Sequence, residues 1–273
     1  MNIIDRNRVR VTGNTGKTIV YAHGFGCNQS MWDRITPAFA SDARQVLFDY
    51  TGSGPTLQRD FDVARYSDLH GYVQDLLEVC AALELTEGVQ FVGHSVSCSI
   101  GILASIAQPS LFERMVLIGP SPCFLNLPPA YAGGFERDDL AGLLDLMDQN
   151  YIGWADYLAP VVAGAPQAET VGAELAHSFC STNPVAAKAF AHATFFADNR
   201  ADLPACSCPS LILQHGNDVL APTGVGDYLH AHLAGSTLQV LDVTGHCAHM
   251  SHPELVIAAM RWYLFGKYAD ARA

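Results

Sequence analysis

The sequence has few basic residues for its length, with 15 lysines and arginines against 27 aspartates and glutamates and a formal net charge of −12. Because nucleic-acid phosphates bind to basic surfaces, this charge argues against a nucleic-acid partner. Long apolar runs are also lacking: none approaches the roughly 20 residues that span a bilayer. No apolar stretch follows a basic start as in a signal peptide. We therefore expect a cytoplasmic protein with no membrane partner.

Charged residues make up only 15% of the 273 residues, whereas apolar residues make up 49%. Such a composition favours one large buried core over a disordered or fibrous chain. Glycine and proline are spread along the chain and no repeat is evident, so we expect a single domain with an insertion. The 8 cysteines are expected to be reduced, because disulfides belong mainly to secreted proteins.

Short apolar runs that are rich in β-branched residues alternate with helical patterns. Most of these runs are apolar throughout, which is typical of parallel strands buried on both faces. Apolar spacings of three and four predict a helix over 69–83, and another helix is expected from Ser95 to about Ala107. The predicted strands lie at 18–22, 46–49, 89–92, 115–118, 211–214 and 238–241. The alternation indicates an α/β protein with a doubly wound, mostly parallel sheet.

The strand signals stop after about residue 122 and return at Leu211. Within this gap the pattern predicts helices over 136–150, 151–163, 168–180 and 184–197. We therefore predict an α/β core formed by 1–122 and 206–273 and a helical lid formed by 123–205. The lid would cover the carboxyl ends of the strands, where such sheets carry their sites. A separate helical bundle is the alternative.

A serine follows the third predicted strand. In Gly93-His94-Ser95-Val96-Ser97, small residues lie two positions before and two positions after the central serine. This pattern predicts a strand–nucleophile–helix turn, whose usual form is G-x-S-x-G and which lifts the serine hydroxyl clear of the sheet. Ser97 departs from that form, which has glycine at the last position. From this context we predict that Ser95 is a nucleophile.

A nucleophilic serine needs a general base and an acid that orients the base. In proteins with this turn, they follow in the order serine, acid, histidine. Asp218 ends the polar turn after the strand at 211–214, and His246 follows the strand at 238–241. Both lie at the same edge of the sheet as Ser95, so we predict that the three residues form a catalytic triad. The competing acids are Asp198, Asp202 and Asp242.

His249, His252 and Cys247 are close in sequence and resemble a metal cluster. Zinc sites rely on helical i, i+4 pairs or on clustered Cys/His pairs, and no matching carboxylate motif is evident here. Glycine-containing segments at 16–18 and 52–54 each lack a glycine that a nucleotide-binding loop needs. We therefore expect neither a metal nor a cofactor.

The segment His23-Gly24-Phe25-Gly26 follows the first predicted strand. In proteins with the nucleophile turn, an N–H from this loop acts together with the N–H of the residue after the nucleophile, and both stabilise an oxyanion. This rule assigns the backbone N–H groups of Phe25 and Val96 to an oxyanion hole. An ordinary glycine turn is the alternative.

Taken together, these motifs resemble the RsbQ-type hydrolases, bacterial stress-response regulators of the α/β-hydrolase fold that are similar to the plant karrikin and strigolactone receptors. In that family the histidine of the Gly-His pair is the catalytic one, which favours His246 over His249. The resemblance extends over nearly the whole chain. The segments that carry it are 23–27, 93–97, 119–122, 133–136, 150–154, 179–182 and 245–253.

The resemblance implies a four-helix lid over a small apolar cavity that binds an ester- or lactone-like molecule. It also implies a signalling role, with a PAS-containing regulatory phosphatase as a candidate partner. The expected residues of the cavity wall are Phe25, Phe124, Phe135, Trp154, Phe195, Phe196 and Val219.

Two functions therefore stand side by side. The first is a serine hydrolase that senses a small hydrophobic ester or lactone in stress signalling. The second is a metabolic carboxylesterase or lactonase with no signalling role. Both need the same triad, so the motifs do not separate them.

Overall fold

The computed structural model describes residues 2–54, 61–165 and 167–266. At its centre lies a sheet formed by β1 (Arg10–Thr12), β2 (Lys17–Ala22), β3 (Ala43–Leu47), β4 (Val89–His94), β5 (Phe112–Ile118), β6 (Ser210–Asn217) and β7 (Ser236–Thr244). The strand order is β1-β3-β2-β4-β5-β6-β7. All neighbouring strands are parallel except β1, which pairs antiparallel with β3 at one edge.

The six predicted strands are confirmed, with ends that differ by up to three residues, and the burial of the central strands explains why the sequence revealed those. Every residue of β4 is buried, as are the last four residues of β5. These strands lie in the middle of the sheet, where continuous apolar sequence is expected. The strand β1 was not predicted, because its three residues are all exposed and leave no apolar pattern.

The predicted helices are confirmed, with ends that differ by up to three residues. Local signals set their starts: the Asp68 carboxylate accepts a hydrogen bond from the His70 N–H at 2.8 Å, and Asn183 precedes a proline at the first helical position. The helices are α1 (Ile3–Arg6), α2 (Leu69–Ala82), α3 (Val96–Ala107), α4 (Arg137–Gln149), α5 (Tyr151–Ala163), α6 (Val171–Ser181), α7 (Pro184–Phe195), α8 (Thr223–His232), α9 (Ala248–Ser251) and α10 (Pro253–Phe265).

Four consecutive helices, α4 to α7, lie between β5 and β6, and we call residues 137–195 the helical insertion. Helices α5 and α6 pack against each other, and α4 contacts both α5 and α7. On α4 the apolar stripe of Leu140, Leu144 and Met147 is buried, while the acidic side chains of its first turn are exposed. The division into core and lid at residues 122 and 205 stays a prediction. No helix in the described ranges is long and apolar enough to cross a membrane.

Candidate active site

Ser95 lies in a strained turn between β4 and α3. Its backbone has φ 56° and ψ −123°, in the left-handed region of φ that residues other than glycine rarely adopt. Small neighbours make the turn possible, because a Cβ on Gly93 would lie 2.9 Å from the Ser97 carbonyl oxygen. The Ser95 N–H donates to the Ile118 carbonyl at 2.9 Å, which ties the turn to the end of β5. Strain of this kind clusters at functional sites.

The Ser95 hydroxyl is the first member of a chain of hydrogen bonds. Its Oγ lies 2.8 Å from Nε2 of His246, and Nδ1 of His246 lies 2.6 Å from Oδ2 of Asp218. The other carboxylate oxygen accepts the N–H groups of Leu220 at 2.9 Å and Ala221 at 3.2 Å. A carboxylate that accepts the Nδ1 proton leaves Nε2 free to take the proton of the serine. The three residues of the predicted triad are thus brought together in the order that nucleophilic catalysis requires.

The charge of Asp218 is held in place by its neighbours. Burial by itself raises the pKa of this carboxyl, but the charge of His246 and the hydrogen bonds from His215 and His246 outweigh it. The resulting pKa of Asp218 lies far below its ordinary value. The group therefore stays ionised at neutral pH and can stabilise a positive imidazolium on His246.

The loop after β2 passes directly against the nucleophile turn. A Cβ on Gly24 would lie 2.6 Å from Nδ1 of His94 and 3.4 Å from the Cβ of Ser95, so only glycine allows this approach. Within the described ranges, the N–H groups of Phe25 and Val96 have no protein acceptor. Two such donors beside a nucleophilic serine are what an oxyanion hole needs. Their role stays a prediction at this point.

A family model described as the alpha/beta hydrolase family matches residues 19–259. The chain belongs to the α/β-hydrolase family. It is similar to "Strigolactone esterase RMS3" of Pisum sativum, with 37% identity over 252 residues that cover 92% of this chain and 94% of the relative. It is also similar to "Karrikin insensitive 2 receptor CA" of Petunia hybrida, with 36% identity over 262 residues that cover 95% and 96% of the two chains.

Among solved structures, a hydrolase from Oleispira antarctica is similar to this chain with a TM-score of 0.94 and 43% identity, covering 97% of both chains. These similarities confirm the predicted α/β-hydrolase fold and the assignment to the hydrolase class. The kinship with the plant receptors is confirmed as well.

The competing acids of this α/β-hydrolase point elsewhere. Asp198 forms an ion pair with Arg200 at 2.7 Å, and Asp202 accepts a hydrogen bond from the Asn199 amide at 3.1 Å. Asp242 is exposed in the edge strand β7. In the described part of the chain, the carboxylate that pairs with the His246 ring is that of Asp218, and none of these three acids does so.

The histidines downstream of the Gly-His pair form no cluster of metal ligands. His249 is fully buried, with its ring 4.8 Å from that of Trp32 and 4.4 Å from that of His94, while His252 contacts Ser251. In the described ranges, the group with metal-ligating atoms close together is His215, Asp218 and His246. These atoms already hold hydrogen bonds that link the acid to the base, so a metal ion there would have to displace them.

Sequence reasoning missed His215, a fully buried residue of β6. Its Nδ1 lies 3.0 Å from the Gly245 carbonyl oxygen and 3.4 Å from Oδ2 of Asp218. Because a carbonyl only accepts, Nδ1 of His215 carries the proton and donates a hydrogen bond to Gly245, the residue before the base His246. A polar residue at the end of an otherwise apolar strand was the available signal, since such residues are buried only with partners.

His94, the residue before the nucleophile, makes a hydrogen bond to the main chain of the base. Its Nε2 lies 2.9 Å from the backbone carbonyl oxygen of His246. Burial, and then the nearby charges of His249 and His246, hold the pKa of His94 well below its ordinary value. The ring is therefore neutral and donates to the main chain of the base, which helps to fix the position of His246.

Three of the expected wall residues lie where the resemblance implied. Phe25, Phe124 and Phe195 line an apolar cavity of about 30 Å³ beside Ser95 and His246. Because a cavity needs about 10–15 Å³ to hold one water molecule, this cavity has room for about two. The other side chains on the wall are Cys27, His94, Leu158, Val162, Leu175, Phe179, Thr194, Leu220 and Cys247.

The other four expected wall residues do not line this cavity. Trp154 lies one layer behind it, where its ring packs on those of Phe25 and Phe179. Phe135 and Phe196 are partly buried and lie in sequence just before and just after the helical insertion, and Val219 is 51% exposed. Val219 follows Asp218 in a tight turn, so that its side chain points to solvent when the carboxylate points inward. The phenylalanine that sequence reasoning missed on the wall is Phe179 of α6.

The helical insertion touches the backbone of the base. The His246 N–H donates to the carbonyl oxygen of Val162, in the last turn of α5, at 2.8 Å. A Cβ on Gly245 would lie 2.0 Å from the Ala163 carbonyl oxygen, and one on Gly164 would lie 2.8 Å from the Gly245 Cα. Glycine at both positions is what lets the two segments approach this closely.

Proposed function

We propose that this chain is a serine hydrolase that cleaves a small hydrophobic ester or lactone, with Ser95 as nucleophile, His246 as general base and Asp218 as the orienting acid. The observation that carries the proposal is the continuous hydrogen-bonded chain from the Ser95 hydroxyl to the Asp218 carboxylate, which begins at the wall of an apolar cavity. A serine so placed is activated by the base beside it.

The reaction follows from the donors and acceptors around Ser95. Nε2 of His246 takes the hydroxyl proton while Oγ attacks the substrate carbonyl carbon, and the N–H groups of Phe25 and Val96 bind the oxygen that becomes negative. His246 then gives its proton to the leaving alkoxide, and an acyl group stays on Ser95. A water molecule activated by the same histidine releases the acid and restores the serine.

The size and polarity of the cavity limit the substrate. Its wall is mostly aliphatic and aromatic, and its volume of about 30 Å³ leaves space for only a very small acyl group unless side chains move. An apolar wall also disfavours charged groups, because burying a charge without a partner is costly. We therefore propose small, uncharged, hydrophobic esters or lactones as substrates, for which no cofactor is needed.

We further propose a ligand-sensing role in signalling, of the kind that the resemblance to RsbQ-type regulators implies. The support is the similarity to plant proteins named strigolactone esterase and karrikin receptor. On this proposal, a PAS-containing regulatory phosphatase is the candidate partner in the cytoplasm. The alternative is a metabolic carboxylesterase or lactonase. The word esterase in the name of the Pisum sativum relative favours it. Turnover of a physiological ester above about 10 per second, the usual enzyme median, would favour the alternative.

The experiment that tests the proposed chemistry uses p-nitrophenyl acetate and a fluorophosphonate probe. The unaltered protein is expected to hydrolyse the ester and to carry the label on Ser95. Ser95→Ala is expected to lose activity by about a thousandfold or more, because the members of a triad act as a unit. Peptide mapping that finds the label on another serine would overturn the assignment of the nucleophile.

A further inference from the structure

Ser97 stands where the usual nucleophile motif has glycine, and its hydroxyl both donates and accepts a hydrogen bond. The residue is completely buried in the first turn of α3, and its Oγ donates to the His23 carbonyl oxygen at 2.5 Å. The Tyr50 hydroxyl lies 3.0 Å from the same Oγ. Because a carbonyl only accepts, the Ser97 proton goes to His23 and Tyr50 donates to Ser97.

The acceptor residue, His23, begins the loop that carries the Phe25 N–H. Its ring is fixed as well, since Nε2 accepts the Tyr50 N–H at 3.1 Å and Nδ1 lies 2.8 Å from the Gly24 carbonyl oxygen. Burial, as the largest effect, holds the pKa of His23 below its ordinary value, so the ring is neutral. Main chain and side chain of His23 are therefore both held by the Tyr50–Ser97 pair.

The donor of the hydrogen bond to His23 is Ser97, which lies on the segment that carries the second oxyanion donor. Ser97 directly follows Val96, whose N–H is the candidate donor at the start of α3. The hydroxyl thus joins the two separate pieces of chain that supply the two N–H groups. A glycine at position 97 has no side chain with which to make this bond.

We propose that Ser97 is a positioning residue that sets the distance between the two oxyanion donors. The inference rests on the proposed hydrolase function and adds a residue to it. Oxyanion stabilisation depends on donors that already point at the place where charge develops, at about 2.7–3.1 Å from it. A loop free to drift from α3 would leave the Phe25 N–H out of reach in the transition state while substrate binding stayed the same.

A purely structural role for Ser97 predicts something different, and Ser99 provides the matched control. Ser99 lies two residues further along α3, is also buried, and donates its Oγ to a backbone carbonyl, that of Ser121, at 3.0 Å. Removing either hydroxyl takes a hydrogen-bond donor away from a buried carbonyl, so both variants should lose stability to a similar extent. Of these two hydrogen bonds, only that of Ser97 is accepted by the loop that carries the Phe25 N–H.

The test compares Ser97→Ala, Ser99→Ala and the unaltered protein, using p-nitrophenyl acetate and the inhibitor trifluoroacetone, which forms a tetrahedral oxyanion adduct with a nucleophilic serine. We expect Ser97→Ala to lower kcat about ten- to a hundredfold, less than the loss of a whole oxyanion donor. KM should change little, and the inhibition constant of trifluoroacetone should rise by the same factor as kcat falls. Ser99→Ala should keep both values within about threefold of the unaltered protein.

Two further variants keep the test valid if Ser97→Ala does not fold. Ser97→Cys keeps the size of the side chain but offers only a weak donor, and Tyr50→Phe removes the hydroxyl that donates to Ser97. Both should lower kcat in the same direction, by less than Ser97→Ala. An unchanged kcat in the Ser97 variants, or an equal loss in Ser99→Ala, would refute the inference. Failure of the unaltered protein to hydrolyse the ester would instead refute the proposed function.

Discussion

The two sides of the cavity are built differently. On the sheet side, each polar residue follows a strand or begins a helix, and hydrogen bonds of definite length connect Ser95, His246 and Asp218. On the side of the helical insertion, apart from the hydrogen bond that Val162 accepts from His246, the cavity is enclosed mainly by apolar packing, such as that of Phe25 with Trp154 at 5.9 Å and Trp154 with Phe179 at 5.4 Å. Directional bonds on one side hold the reacting groups, whereas non-directional packing on the other decides what fits. Changes on the two sides should therefore affect different kinetic constants.

The largest effect is expected on the sheet side, from Asp218→Asn. An amide in place of the carboxylate favours the wrong tautomer of His246 and cannot stabilise its positive charge. We expect kcat for p-nitrophenyl acetate to fall by up to about 10⁴-fold, while binding of a small apolar ligand to the cavity, followed by calorimetry, is retained. Asp202→Asn serves as the control and should keep nearly full activity. If the two variants behave alike, the acid lies elsewhere.

A smaller effect is expected on the insertion side, from Leu158→Ala. Leu158 lines the cavity from α5, and its truncation makes room for a longer acyl chain. Two further methylene groups buried at about 0.8 kcal/mol each correspond to roughly a tenfold gain. The ratio of kcat/KM for p-nitrophenyl butyrate over acetate should rise by about that factor. Tyr157→Ala changes the preceding residue of α5, which is 62% exposed, and an equal gain there would contradict a wall role for Leu158.

The smallest effect concerns a histidine of the sheet side that is packed without a hydrogen bond. Burial, followed by the charges of His215 and His246, holds the pKa of His249 well below its ordinary value. The native state therefore keeps His249 neutral, while the unfolded chain takes up a proton below about pH 6.5. Stability is lost as pH falls from that value, by up to about 1.4 kcal/mol per pH unit for each such group.

Replacing His249 with Phe should remove this contribution and keep a ring between Trp32 and His94. Urea unfolding between pH 7 and pH 5 should then show a flatter loss of stability than in the unaltered protein. Activity should be largely retained, because His249 has no hydrogen bond to the triad in the described part of the chain. A slope equal to that of the unaltered protein would show that His249 takes up its proton in the folded state.

The predictable part of the molecule is the part whose sequence signal is local. Buried central strands are recognisable from apolar runs, and the positions of Ser95, Asp218 and His246 follow from motifs at strand ends. The contacts of His94 and His215 are not local, since their partners lie 152 and 30 residues away in sequence. Such contacts depend on how the strands are registered, which no short motif reports.

The cavity wall could be predicted only in part for a similar reason. Phe124 and Phe195 line it, whereas Phe135 and Phe196 do not, although all four are aromatic residues of the predicted lid. For Phe195 and Phe196, at the end of α7, which residue meets the cavity depends on the rotation of that helix against its neighbours. A change of one position, as between Phe195 and Phe196, turns a residue by about 100° around the helix axis. Composition alone does not carry that information.

The contact between Val162, Gly164 and the Gly245-His246 pair has a consequence for how this protein can diversify. The last turn of α5 is hydrogen-bonded to the main chain of His246 and packs tightly on Gly245. The helical insertion therefore cannot be exchanged as a unit between relatives without affecting the base. A graft that lengthens or shortens α5 by one residue would shift the histidine as well as the wall. New ligand preferences are therefore accessible through substitutions in α6, in α7 and in α5 before its last turn, as at Leu158. The last turn of α5 must be inherited together with the Gly-His pair.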